Sequence, residues 1–558
     1  MPSVRAVTLG GDLSVLIGER STTASVVGRY IRGLEKLIRA GFDLQAFRAS
    51  RRFARFCRQA FPTSRQWKRR GAGDPVALLE FNSMASAHIA YAFLADALRQ
   101  KHGCEVVAFA DKRRWLHWSQ IPILRPRAVG VYRSFGAQRT VRPVITTRIA
   151  TEARRRAKEF LGPATSRSDL VKFEIDGVLV GDLIYDDYLS RRKVPTIDPQ
   201  SQDFLEFLTE MIALFRAWQQ VFDGNNIVAV NVSHCVYRFA FPLRIAISRD
   251  IEAFQVNATH AYRLSSERLY AYTDFLTYAE DFARLDPETR AAATTAAQKR
   301  IEMRLGGEVG VDMPYSKKSA YAAPSEARVL SDSSAFKVLV ATHCFFDSPH
   351  PYGQTLFPDF HEWLTFLGEL SRDLDYEFYL KVHPDFQPGS KSVVDELVHR
   401  YPSFHSLPPD VSHHQLVQEG IGAALTVHGT IGHEYAALGV PVVNASQNNP
   451  HISFDFNFHP TTVEEYENAV RGLSGVTFAP DPDQIRAYYF MHYMNASRNL
   501  VFHDYEGMMR ALGGYQGQFN PRVYDYWLQH DEHRVDQVRD QFRHFVEADD
   551  FRLILSTP

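Results

Sequence analysis

Short apolar runs that end abruptly on polar residues, each followed by helical spacing, constrain this chain's fold more than any other feature. Phe378–Val382 and Ala423–Val427 read as buried parallel strands, because uninterrupted apolar runs suit strands covered on both faces. The first stops at Lys381, His383 and Pro384, the second at His428, Gly429 and Thr430. Ile431–Leu438 then has helical character, Gly439 is placed to end that helix, and Pro441–Asn444 reads as the next strand. In open α/β sheets, ligands bind outside the carboxyl ends of the strands, where these polar residues fall.

The same pattern recurs along the chain. Val76–Phe81, ending in Asn82 and Ser83, precedes a helix through Ala87–Leu98 and a strand at Glu105–Phe109. That unit implies a parallel sheet with a right-handed crossover. Ile227–Val232, ending in Ser233 and His234, and Ala253–Val256, ending at Asn257, extend it. Phe336–Ala341, ending in Thr342, His343 and Cys344, opens a second unit with a helix at Asp359–Leu374. The expected fold class is therefore α/β, with two similar domains, 76–285 and 336–475, facing each other across a cleft. Residues 286–335, a helix followed by a stretch rich in Gly, Pro, Ser and Lys, read as the linker. Residues 1–75 read as a basic helical appendage, with helical spacing at Ser25–Ile38 and Phe47–Phe61. Residues 476–558 read as C-terminal helices, clearest at Ile485–Tyr493 and Tyr524–Glu547.

Composition closes off several classes. A chain of 558 residues with 45% hydrophobic content can bury two large cores, and 23% charged residues fits neither a disordered nor a membrane-spanning chain. Lys plus Arg is 63 against 64 Asp plus Glu, so nothing in the total calls for nucleic acid. The exception is local: nine basic residues and no acidic one lie between Gln45 and Arg70. They read either as a solvated helix packed on its neighbour or as a basic amphipathic helix on anionic lipid. Cys57, Cys104, Cys235 and Cys344 show no CxxC spacing and read as reduced thiols. With no secretory pattern and no apolar window of about 18 residues, a soluble cytoplasmic protein is expected. Contact with the inner face of the cytoplasmic membrane stays open.

Neither a GxGxxG fingerprint nor a GxxxxGK[ST] loop is present, which takes support from NAD enzymes and P-loop NTPases. In His428-Gly429-Thr430-Ile431-Gly432-His433-Glu434, small residues at a helix start would let backbone N–H groups approach a phosphate. Thr430 could add a hydroxyl, and Glu434 could accept from ribose hydroxyls; the alternative is ordinary capping. His383, fixed by Pro384 and beside Lys381, could stabilise charge on a departing phosphate oxygen. The polar loop Asn444–His451 adds Asn449 to the same nucleotide-binding set.

These residues also resemble a known group. KVHP and TVHGTIGHEYAALGVPVV look like the donor domain of GT-B glycosyltransferases of bacterial surface polysaccharides, capsule and O-antigen β-Kdo transferases above all. The resemblance covers about residues 336–475. It implies the GT-B fold of two Rossmann-like domains, with His383 at the donor phosphate, Gly429 and Thr430 cradling it, and Glu434 at the ribose. It also implies a catalytic Asp in the first domain, whose surrounding motif is not matched here.

Candidates for that carboxylate are Asp182 and Asp186, four apart and on one face if the segment is helical. Either could deprotonate an acceptor hydroxyl or attack the donor sugar. The plainer reading is a turn rich in Asp and Gly. His234, Arg244 and His343 are candidates for acceptor or sugar contact. No DxD pair stands at a strand end and no cluster has metal-ligand spacing, so a metal-independent enzyme without a cofactor is expected. The expected partners are a nucleotide-sugar donor, with a lean towards CMP-Kdo, and a glycan or lipid-linked glycan acceptor. A UDP-sugar transferase, a CDP-polyol phosphotransferase, a sugar-nucleotide epimerase and a non-catalytic glycan-assembly protein are the alternatives.

Overall fold

The computed structural model describes residues 43–61, 71, 73–110, 127–312, 318–321, 327–382, 389–495 and 499–554. The expected helix at Ser25–Ile38 and the expected phosphate ligand His383 lie outside them.

Among the described residues the strands are, in chain order, β1 (Pro75–Glu80), β2 (Glu105–Phe109), β3 (Arg139–Val141), β4 (Glu174–Ile175), β5 (Val178–Leu179), β6 (Asn226–Val232), β7 (Glu252–Val256), β8 (Ala261–Leu264), β9 (Phe336–Ala341), β10 (Tyr376–Lys381), β11 (Phe404–Ser406), β12 (Ile421–Thr426) and β13 (Val442–Asn444). The first sheet runs β3-β2-β1-β6-β7-β8, parallel except for β8, which returns antiparallel on β7. The second runs β11-β10-β9-β12-β13 and is parallel throughout. Both are Rossmann-like, and in both the order reverses beside the first strand, between β1 and β6 and between β9 and β12.

Period-2 alternation sends successive side chains into two cores. Val76 and Leu78 join Val107, Phe109 and Trp218 on one face; Ala77 and Leu79 join Val106, Ala108 and Phe93 on the other. In the second sheet Val338 and Val340 pack with Trp363, while Leu339 packs with Tyr379. Helices cover all four faces, which is why the strands read as continuous apolar runs. The helix Ala85–His102 is buried from Ala85 to Arg99 and stops at Gly103, whose φ of 59° serves a left-handed C-cap.

The C-terminal helices divide between the two halves. Pro482–Tyr489 packs on the linker helix Pro287–Leu305 and on residues of the second half, whereas Val523–His530 and Val535–Glu547 return to the first core. The basic helix Leu44–Ala60 joins that same core: Phe53 stacks on Tyr524 at 4.7 Å, with Ala49 and Cys57 buried beside it. Its apolar face is covered, so it cannot also enter lipid; Arg48, Arg51, Arg55 and Arg58 remain exposed. No described helix is long and apolar enough to cross a membrane.

Candidate active site

The Asp- and Gly-rich stretch resolves into two elements. β4 and β5 form a hairpin whose turn residues, Asp176 and Gly177, have φ of 54° and 76°, the pairing that a tight primed turn favours. The helix Gly181–Arg192 follows, close-packed at its start: a side chain on Gly181 would lie 2.2 Å from the Leu170 carbonyl. Asp182 and Asp186 sit one turn apart on it, both buried.

Their environments differ. Asp182 Oδ2 accepts from Arg244 Nη2 at 2.6 Å and from the Tyr270 hydroxyl at 2.9 Å, and Arg244 Nη1 donates to the Leu179 carbonyl at 3.1 Å. Asp182 and Arg244 were candidates for catalysis and for sugar contact; they are instead each other's partner, 1% and 2% exposed. Charges that deep persist only when paired, so the pair holds helix and hairpin together. Asp186 reaches the second domain. His350 Nδ1 lies 2.6 Å from its Oδ1, and Oδ2 accepts from the His350 backbone N–H at 3.2 Å and from the Ser348 hydroxyl.

Other contacts join the same two halves. The Tyr185 hydroxyl donates to Asp359 Oδ2 at 2.5 Å, and Tyr237, just past β6, donates to Asp347 Oδ1 at 2.5 Å. The carboxyl ends of the two sheets therefore face one cleft. Tyr237 holds a φ of 58°, a strained conformation for an aromatic residue and of the kind that gathers at functional sites. His234 stands exposed beside it.

On the second sheet, His343 was expected to touch sugar. Its Nε2 instead accepts from the Val427 backbone N–H at 3.2 Å and lies 3.2 Å from Thr426 Oγ1, tying the end of β9 to that of β12. The ring also stacks on Phe360 at 4.7 Å. His428, half-buried 4.5 Å from His343, has its pKa pushed down to about 4 by burial and by repulsion from His350, and is neutral near pH 7.

Part of the expected backbone cradle for phosphate is committed within the fold. Gly429 N–H donates to Thr426 Oγ1 at 3.1 Å, Gly432 N–H to the Gly429 carbonyl at 3.1 Å and His433 N–H to the Thr430 carbonyl at 3.2 Å. Thr430 makes no side-chain cap, against the capping alternative, and the helix Ile431–Ala437 is two turns long. Asn449 is likewise committed inside its own loop: Nδ2 donates to the Ser446 carbonyl at 2.7 Å, and Oδ1 accepts from His451 N–H at 3.0 Å.

What remains is a cavity of about 120 Å³, open to solvent, at the ends of β9 and β10. Thr342, Lys381 and Thr430 line it on one side, and Arg304, Lys318 and Tyr321 cover it from the linker. Glu434 lies in its wall, with Arg304 Nε donating to Oε1 at 2.7 Å and the Tyr321 hydroxyl to Oε2 at 2.9 Å. Burial opposes the Glu434 charge, but Arg304, His413 and Tyr321 more than offset it and hold the carboxyl below its ordinary value. Oε1 takes both Arg304 bonds, whereas Oε2 accepts one bond from Tyr321 and keeps acceptor capacity. Lys381 donates to the Pro409 carbonyl at 2.8 Å, and burial lowers its pKa to about 8 against the attraction of Asp410 and Glu434.

Sequence reasoning missed His350, Arg304 and Tyr321. His350 stands between Pro349 and Pro351, a rigid setting that could have singled it out; Arg304 and Tyr321 have no local signal. Among the described residues no group of three or more His, Cys, Asp or Glu could hold a metal ion.

No protein-family profile matches the chain, and no curated protein matches it. The β-Kdo 2,4 transferase KpsC of Thermosulfurimonas dismutans aligns at 11% identity over 49% of this chain and 85% of its own, with a TM-score of 0.30. UDP-GlcNAc 2-epimerase from Neisseria meningitidis aligns at 11% identity over 75% and 96%, with a TM-score of 0.20. An α,α-trehalose-phosphate synthase from Burkholderia vietnamiensis aligns at 11% over 84% and 100%, with a TM-score of 0.24. In its own right, the chain has two Rossmann-like sheets whose carboxyl ends face one cleft.

Proposed function

We propose that the protein is a metal-independent GT-B glycosyltransferase of bacterial surface-glycan synthesis. It would take a nucleotide-activated sugar into the second-domain cavity and pass the sugar to a glycan or lipid-linked glycan acceptor in the cleft. The observation that supports this best is the cavity at the carboxyl ends of β9 and β10, beside the point where the strand order reverses. Buried Lys381 and the Thr430 hydroxyl are the groups for phosphate, with His383 assigned to the same role from its KVHP setting. The donor we favour is CMP-Kdo or a related acidic sugar, on the resemblance of the HP motif. The exposed arginines of Leu44–Ala60 suit contact with an anionic membrane surface through charge alone.

Thermal unfolding with CMP, CDP, UDP, GDP and ADP tests the reading. A nucleotide at ~100 times its Kd adds about 2.7 kcal/mol to stability. Lys381→Met is expected to lose that shift while staying within about 1 kcal/mol of wild type without ligand, because burying an ammonium already costs stability. Stabilisation by CMP alone supports the favoured donor; UDP or CDP alone would redirect it. A wild type that no nucleotide stabilises removes the reading.

A further inference from the structure

The loop between β9 and the helix Phe360–Leu370 lays His350 against Asp186, a contact spanning 164 residues of sequence and both domains. Asp186 accepts three hydrogen bonds here, from His350 Nδ1, the His350 backbone N–H and the Ser348 hydroxyl. A second brace is Tyr185, whose ring meets the imidazole edge-on at 5.7 Å and whose hydroxyl is anchored on Asp359. The ring's tautomer is thereby set: with Nδ1–H on the carboxylate, Nε2 carries the lone pair. Yet Nε2 has no hydrogen-bond partner, and the side chain is only 1% exposed. Buried His433 and His451 also hold unpartnered ring nitrogens, so what sets His350 apart is the carboxylate on its other nitrogen, supplied by the opposite domain. An imidazole oriented by a carboxylate through one nitrogen, with the other unpaired, is the arrangement that proton transfer uses.

We propose that His350 is the catalytic base of this cleft and that Asp186 is its positioning residue. This rests on the glycosyl-transfer reading above. Nε2 takes the proton of the acceptor hydroxyl as that oxygen's electron pair forms the bond to the anomeric carbon. The bond from that carbon to the departing phosphate oxygen breaks, and its electron pair leaves with the nucleotide. The imidazolium so formed faces the Asp186 carboxylate, and it returns its proton to solvent. The role that sequence gave to a first-domain carboxylate thus passes to a histidine from the second domain.

The groups that set its charge are Asp186, Asp182 and Tyr185 on the helix Gly181–Arg192, Asp359 at the start of Phe360–Leu370, and His428 after β12. Burial alone would depress the imidazole; Asp186, with Asp182 and Asp359, more than offsets that, so its pKa lies above the ordinary histidine value of about 6.5. The base form therefore grows as pH rises through that higher value, and kcat/KM should rise with it.

The full chain is assayed for enzyme-dependent release of nucleotide from CMP-Kdo, UDP-N-acetylglucosamine and CDP-glycerol, with water as acceptor. His350→Ala is expected to lose about 10²–10⁴-fold in rate. It should lose the acidic limb of the pH profile, recover part of the rate with added imidazole, and keep the nucleotide-induced thermal shift. His350→Gln, which can still bond to Asp186, covers a fold that does not tolerate alanine, and the same loss of rate is expected. If the wild type releases nucleotide and both variants match its rate and pH limb, His350 is not the base, while the transferase reading stands. If the wild type releases nucleotide from none of the donors, the transferase reading falls and this role with it.

Discussion

Asp182→Ala is expected to lower the stability of the first domain by about 3–5 kcal/mol, because it leaves the Arg244 guanidinium buried without its counter-charge. At roughly 2–4 °C per kcal/mol for a domain of 150–250 residues, the thermal midpoint should fall by about 6–20 °C. The Tyr270 hydroxyl and the Leu179 carbonyl remain near Arg244, but neither supplies a negative charge. Replacing both partners by apolar residues, Asp182→Leu with Arg244→Met, should recover most of the loss, since two well-packed side chains avoid the desolvation cost of the pair. The double variant also separates two roles. If Asp182 serves only the ion pair, the recovered protein turns over donor at the wild-type rate. A stable but inactive double variant would restore the catalytic role that the sequence suggested.

Glu434→Gln is expected to cost about 3 kcal/mol, at the lower end of the range for a broken buried pair because Arg304 keeps 11% of its side chain exposed. The loss should appear first at the contact between linker and second domain, because Glu434 receives both Arg304 and Tyr321. Hydrogen exchange at residues 304–312 and 318–321 should accelerate, with the first sheet unaffected. The pH dependence has a defined sign. The Glu434 carboxyl is held below the ordinary glutamate value of about 4.3, so its stabilisation is complete above that value and lost as pH falls through the lower folded pKa. Below about pH 4 the wild type should therefore lose stability more steeply than Glu434→Gln. Parallel acid curves would show that the pair contributes nothing.

Much of the scaffold was legible in the chain. The strands at 75–80, 105–109, 226–232, 252–256, 336–341 and 376–381 fall where apolar runs end on polar residues, whereas the helix that puts Asp182 and Asp186 on one face was only one of two readings of its segment. These are local properties, set by side-chain periodicity over one or two turns or a single strand. Short edge strands such as β3 and β11 were missed because three residues leave no period to detect.

The sequence by itself determined two α/β units, the direction of their sheets and the strand ends where polar residues collect. Tertiary structure alone decided which of those polar residues are occupied and which are left for a ligand. Arg244 meets Asp182 across 62 residues, Arg304 meets Glu434 across 130, and His350 meets Asp186 across 164. Nothing local to either member of a pair shows which residue it will meet. Burial turns such a charge into one that must be paired, and burial is fixed only when distant segments pack. For the same reason Gly429 and Asn449, well placed in sequence for a phosphate, spend these hydrogen bonds within the fold, while His350, set between two prolines, keeps one nitrogen unspent.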